Sequence, residues 1–173
     1  MSGWKNLARW MGFFQFGLAV LGSAAAAQGK TRFELRCLVQ GEPVKVVEDG
    51  SLDTPARAQF MNGQRTIAIN PARTEGLPAV VQTFLVAHEC GHLIASPTLP
   101  AAYHQRINPD RERVADRIGI RLLRDQLHFS LEQAKTIAAA FRDTKGSLPA
   151  YLPGPERERW IIACFKTDTP DCS

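Results

Sequence analysis

His88 and His92 stand four apart in the order His88-Glu89-Cys90-Gly91-His92, inside a stretch whose apolar residues recur at helical spacing through Val80, Val81, Phe84, Leu85, Ala87 and Leu93. Residues four apart on a helix share a face, so both imidazoles can reach one cation while Glu89 projects beside them. Imidazole and carboxylate donors suit zinc, which keeps an open position for water in catalytic sites, and Glu89 is placed to take a proton from that water. Cys90, two residues from each histidine, falls on the other side of the helix, where a buried thiol or a disulfide is expected.

Two histidines do not complete such a site. A third donor is expected from Glu112-Arg113-Val114-Ala115-Asp116, on the next helical stretch. Glu112 would close a His₂Glu ligand set. Asp116, one turn on, could accept the second imidazole N–H of a ligand histidine and so fix its tautomer. The plainer alternative makes Glu112 and Asp116 solvent-facing acids paired with Arg113 or Arg117, and the histidines ordinary helix residues.

The elements that must position these groups change character at Leu77. Before it, alternation marks strands at 32–39 and 43–48 around a Gln40-Gly41-Glu42 turn. Two further runs flank Asn62-Gly63, a strong hairpin signal, the second being Thr66–Ile69, stopped by Asn70-Pro71. After it, Pro78 suits a first helical turn, and Pro97 and Pro100 end that helix. A second helix opens with Asn108 as cap and Pro109 and runs to about Gln126. A third begins at Ser130, in the capping box Ser130-Leu131-Glu132-Gln133, and continues to about Arg142. The stretch 146–155 reads as a loop before a last helix near 156–165. The expected fold is α+β: a small antiparallel sheet followed by a helical catalytic core, in one domain over 28–173.

Residues 1–27 are set apart as a secretory leader, because Lys5 and Arg9 precede an apolar run from Trp10 to about Leu21 and small residues at Ala25 and Ala27 offer a cleavage site before Gln28. The run is short against the roughly 20 residues a span needs, so no stable membrane span is expected after cleavage. The full-chain charge of +4 then falls to about +2, and the scattered arginines give no basic groove for nucleic acid. Four cysteines, Cys37, Cys90, Cys164 and Cys172, favour disulfides in an exported, periplasmic or secreted protein. Three pairings are open. Cys37 with Cys90 would tie a strand to a helix, and Cys164 with Cys172 would close a short loop.

The zinc helix with H-E-x-x-H followed by a helix with E-x-x-x-D resembles the gluzincin metallopeptidases. Glu-Arg-Val-Ala-Asp-Arg-Ile-Gly looks like the corresponding segment of their HtpX-like members, and the small size is similar to the minigluzincins. The resemblance spans roughly Thr66 to Leu123. It implies His88, His92 and Glu112 as zinc ligands, Glu89 as general base, Asp116 behind a ligand histidine, and a peptide or protein substrate laid along the Thr66–Ile69 strand as the cleft edge. Endopeptidase action is the preferred expectation, since the G-x-M-x-N sequence of related aminopeptidases is absent. The competing expectation is a catalytically inactive zinc-binding module of the cell envelope. Tyr103 and His104 are candidates to stabilise an oxyanion and Tyr151 to line the cleft. His128 reads as a helix-end or core residue, and the loop from Leu99 to Ile107 as a limit on substrate access.

Overall fold

Two tight turns organise the first half of the chain. Gln40-Gly41 and Asn62-Gly63 all take positive φ (55° and 84°, 50° and 77°), the geometry that lets a two-residue loop follow the twist of its flanking strands. The first joins β1 (Leu38–Val39) to β2 (Glu42–Pro43), and the second joins β4 (Ala56–Met61) to β5 (Gln64–Ile69). The computed structural model describes residues 34–96, 109–144 and 152–173, all within the unit Thr31–Ser173, one of two into which contacts divide the chain. The leader at 1–27, Asn108, Tyr103, His104, Tyr151 and the Leu99 to Ile107 loop lie outside the described residues.

The larger sheet has the order β3-β5-β4, with β3 (Lys45–Glu48) parallel to β5 and β4 antiparallel to it. The hairpin pattern accounts for the antiparallel pairs. It gives no sign of the parallel one, which forms because the β4–β5 hairpin returns β5 alongside β3. Asn70 secures that return. Its side chain donates to Leu52 O (2.7 Å) and Gly50 O (3.3 Å), holding the β3–β4 connection, and accepts from Ala72 N to start the one-turn α1 (Pro71–Thr74). β1 is shorter than the expected strand, yet Leu35, Cys37 and Val39 are buried while Glu34, Arg36 and Leu38 are exposed, so the alternation is real where the ladder is not.

Thr66 to Ile69 is at most 4% exposed, as a central strand must be. This corrects the expectation that it forms the cleft edge: β3 and β4 occupy both its sides and are the edges of this sheet, and β4 is the one that meets Glu89.

α2 (Ala79–Ala95) runs through the middle of the molecule, packed on the sheet, on α3 (Pro109–Leu127) and on α4 (Leu131–Ala139). Phe84, Leu93, Ile120, Leu123, Ile137 and Ile67 are fully buried around it, each such side chain contributing about 1.5–3 kcal/mol. On α3 the buried positions are Glu112, Ala115, Asp116, Gly119, Ile120 and Leu123, an apolar stripe at helical spacing with two acids in it. His128 takes φ 53° just past the end of α3, exposed, as a helix-ending residue does. Ser130 caps α4 with both bonds of the capping box. The last helix, α5 (Gly154–Lys166), packs on α3 and α4. The class is therefore α+β, and no helix among the described residues is long and apolar enough to cross a membrane.

Both disulfides follow the pairing that ties strand to helix and closes the tail: Cys37–Cys90 and Cys164–Cys172. The first closes a loop of sequence separation 53 and the second one of 8, worth about 4 and about 2.5 kcal/mol on the chain-entropy account. Cys90 is fully buried on the side of α2 away from the histidines' shared face, so the first bridge braces the metal helix from behind.

Candidate metal centre

α2 and α3 approach so closely that side chains would keep them apart at two positions. A Cβ on Gly91 would lie 2.6 Å from Ala115 O, and one on Gly119 would lie 2.9 Å from His88 N and 3.0 Å from Ala87 C. All of those atoms are backbone, so neither glycine can be replaced without moving a helix. The close approach brings the buried face of α3 against the histidine face of α2.

There the side chains converge. His88 Nε2 lies 3.1 Å from Glu112 Oε2, and His92 Nε2 lies 3.4 Å from Glu112 Oε1. One ligand atom from each of His88, His92 and Glu112 falls within 4.8 Å of the others. The two rings are nearly perpendicular, 4.7 Å apart. His88 Nδ1 meets Asp116 Oδ1 at 2.8 Å, so its other nitrogen is turned toward Glu112 and His92. His88, Glu112 and Asp116 are 5%, 6% and 1% exposed, which excludes the solvent-facing alternative for the acids.

Charge explains what the cluster is built to hold. Burial pushes the His88 pKa down, but hydrogen bonds that its ring donates to Asp116 and Glu112 and the nearby carboxylate charges raise it to about 10. Burial raises Glu112 and Asp116, yet both end well below the ordinary range: Glu112 through His88 and His92, Asp116 through the Arg157 charge and His88. Glu89, Glu112 and Asp116 set carboxylates around His88, with Arg157 paired to Asp116. With both imidazoles neutral, those carboxylates suit a divalent cation, and the donor set of two imidazole nitrogens and one carboxylate matches the ligand chemistry of a metal.

No protein-family model, curated protein or solved structure matches the chain. The arrangement of residues therefore carries the argument for function.

The structure brings His88, His92 and Glu112 around one point with Asp116 behind His88, and the Glu89 charge acts on His88 from the next position of α2; Tyr103, His104 and Tyr151 lie outside the described residues. Arg113 pairs with Glu156, not with the site acids. Two contributors were not expected. Arg157 of α5 donates to both oxygens of Asp116, Nε to Oδ2 at 2.9 Å and Nη2 to Oδ1 at 2.7 Å, and its guanidinium stacks 4.0 Å from the Phe141 ring. The charged text Glu156-Arg157-Glu158-Arg159 reads as a solvated face. The available signal was spacing, since Arg157 stands four before Ile161 and seven before Cys164, both fully buried. The second contributor is a backbone group, Ala58 N, which donates to Glu89 Oε2 at 2.7 Å. No side-chain pattern announces it.

Proposed function

We propose that the protein is an exported zinc-dependent peptidase, with His88, His92 and Glu112 as zinc ligands and Glu89 as general base. The observation that carries the reading is the convergence of the three ligand atoms within 4.8 Å beside an intact Glu89. Zinc, when bound, would supply Lewis acidity toward a substrate carbonyl and a water acidic enough to be deprotonated near neutral pH. Glu89 would accept a proton from the water that adds to the peptide carbonyl and then deliver it to the amine nitrogen, whose C–N bond breaks after the C–O bond has formed. Asp116 accepts the His88 Nδ1 proton and thereby presents Nε2 as the donor. Arg157 holds Asp116 in that orientation with two parallel bonds.

The peptide is expected to lie extended along β4, whose outer edge passes Glu89, and internal bonds are preferred as the site of cleavage. Two disulfides support an oxidising compartment, in line with export ahead of Gln28.

The test is cleavage of a mixed peptide library by zinc-loaded protein beginning at Gln28, beside Glu89→Gln. Turnover is expected in the first and a loss of at least about 100-fold in the second, with zinc retained in both. Zinc bound by both chains with no cleavage by either would favour the inactive envelope module instead.

A further inference from the structure

We infer that the backbone N–H of Ala58 is the group that orients Glu89 for proton transfer, so that the outer edge of the sheet holds part of the peptidase machinery; this rests on the peptidase reading. The strand register makes the point. Asn70 N donates to Pro55 O, and Met61 and Gln64 close the two-residue hairpin, so residues 55, 57, 59 and 61 direct their backbone groups toward β5. Ala56, Ala58 and Phe60 direct theirs outward. Ala58 N meets Glu89 Oε2 at 2.7 Å across 31 residues of sequence.

This donor has properties a side chain would lack. It sits between two residues bonded into the sheet, and the Ala58 side chain is buried, so its direction is fixed without rotamer freedom. It binds one oxygen of a half-buried carboxylate, a short charge-assisted bond that leaves the other oxygen for the proton. A misplacement of about 1 Å in such a group can lower a rate by about 100-fold. The contact also occupies one outward N–H of β4, so an extended peptide must take its ladder bonds from other groups of that edge.

Because Ala58 N–H serves no bond to β5, Ala58→Pro removes the Glu89 contact while keeping the ladder, the position in a sheet that tolerates proline. Ala56→Pro has the same parity without the Glu89 bond, so it removes an outward N–H open to the substrate and leaves Glu89 held. In the zinc-loaded full chain, Ala58→Pro is expected to lower kcat roughly 10- to 100-fold with KM nearly unchanged and zinc retained, while Ala56→Pro, on the edge where the peptide would lie, is expected to act through KM. In Ala58→Pro, a raised KM with unchanged kcat would mean that the substrate uses this N–H, and a raised kcat would mean that the contact restrains Glu89; either overturns the inference. So would equal effects of the two prolines.

Amide hydrogen exchange reads the contact without any proline. Ala58 is expected to be protected, and Glu89→Ala to speed its exchange at least tenfold. Exchange unchanged by Glu89→Ala, with turnover intact in the wild type, refutes the contact and leaves the peptidase reading standing. Protection in the wild type that is lost in Glu89→Ala, in a chain that cleaves no peptide, keeps the contact and refutes the reading.

Discussion

α3 carries charge on two faces, and the two are used differently. On the inner face Glu112 and Asp116 are almost fully buried and bonded to His88, His92 and Arg157. On the outer face Arg117, Arg121 and Arg124, spaced along one stripe, bind the C-terminal segment: Arg117 reaches Pro170 O, Arg121 reaches Thr167 O and Thr169 O, and Arg124 reaches Phe165 O and Asp168. Asp168 is 83% exposed at its side chain. Water can replace the outer partners, whereas the inner acids have only each other's neighbours. Sequence text shows the same kinds of residue on both faces, and burial alone separates a site from a strap.

Substitutions should expose that difference, beginning with the ligand itself. Glu112→Ala is expected to weaken zinc binding by more than about 100-fold, read by competition with a chromophoric chelator, because the remaining imidazoles lack both a donor and its charge. Asp116→Asn is expected to lose about 10- to 100-fold in the same assay while still binding, as groups behind a ligand do. Arg157→Ala leaves Asp116 buried without its cation and is expected to destabilise the fold by about 3 kcal/mol in denaturant; Arg157→Lys, lacking the fork, should recover only part. Arg124→Ala, on the outer face, is expected to cost at most about 1 kcal/mol and to leave zinc affinity unchanged. An Arg124 effect on zinc as large as that of Arg157 would erase the distinction between the faces.

Acidity sharpens it further. In chelator-treated protein His88 has its pKa raised to about 10, so the stability it contributes is complete below its unfolded value near 6.5 and is lost as pH rises through 10. The metal-free melting temperature should therefore fall between pH 7 and pH 10. Zinc replaces that proton, so zinc affinity should rise with pH over the same interval. A metal-free protein equally stable at both ends would contradict the His88 assignment.

The helices and the ligand set were legible because their signals are local: four-residue spacing in His88 and His92, the same spacing in Glu112 and Asp116, and a capping box at Ser130. What escaped is set by contacts between distant segments. The parallel pairing of β3 with β5 leaves no local pattern, and with it went the identity of the sheet edges, which are β3 and β4 and not Thr66 to Ile69. Arg157 was hidden among alternating charges because its burial depends on α5 packing against α3. Gly91 and Gly119 looked unremarkable until the helix backbones were seen to meet there. Ala58 contributes only a main-chain N–H, which every residue but proline carries. The disulfides fell between these cases: an even number of cysteines pointed to them, and their pairing came only from the fold.

His88, His92 and Glu112 are placed to hold one metal ion between α2 and α3. Native mass spectrometry of the full chain, stripped by chelator and then supplied with zinc, tests that binding directly. One zinc per chain is expected in the wild type and none in a chain carrying both His88→Ala and His92→Ala. A wild-type chain that takes up no zinc, or a double variant that keeps it, would contradict the site.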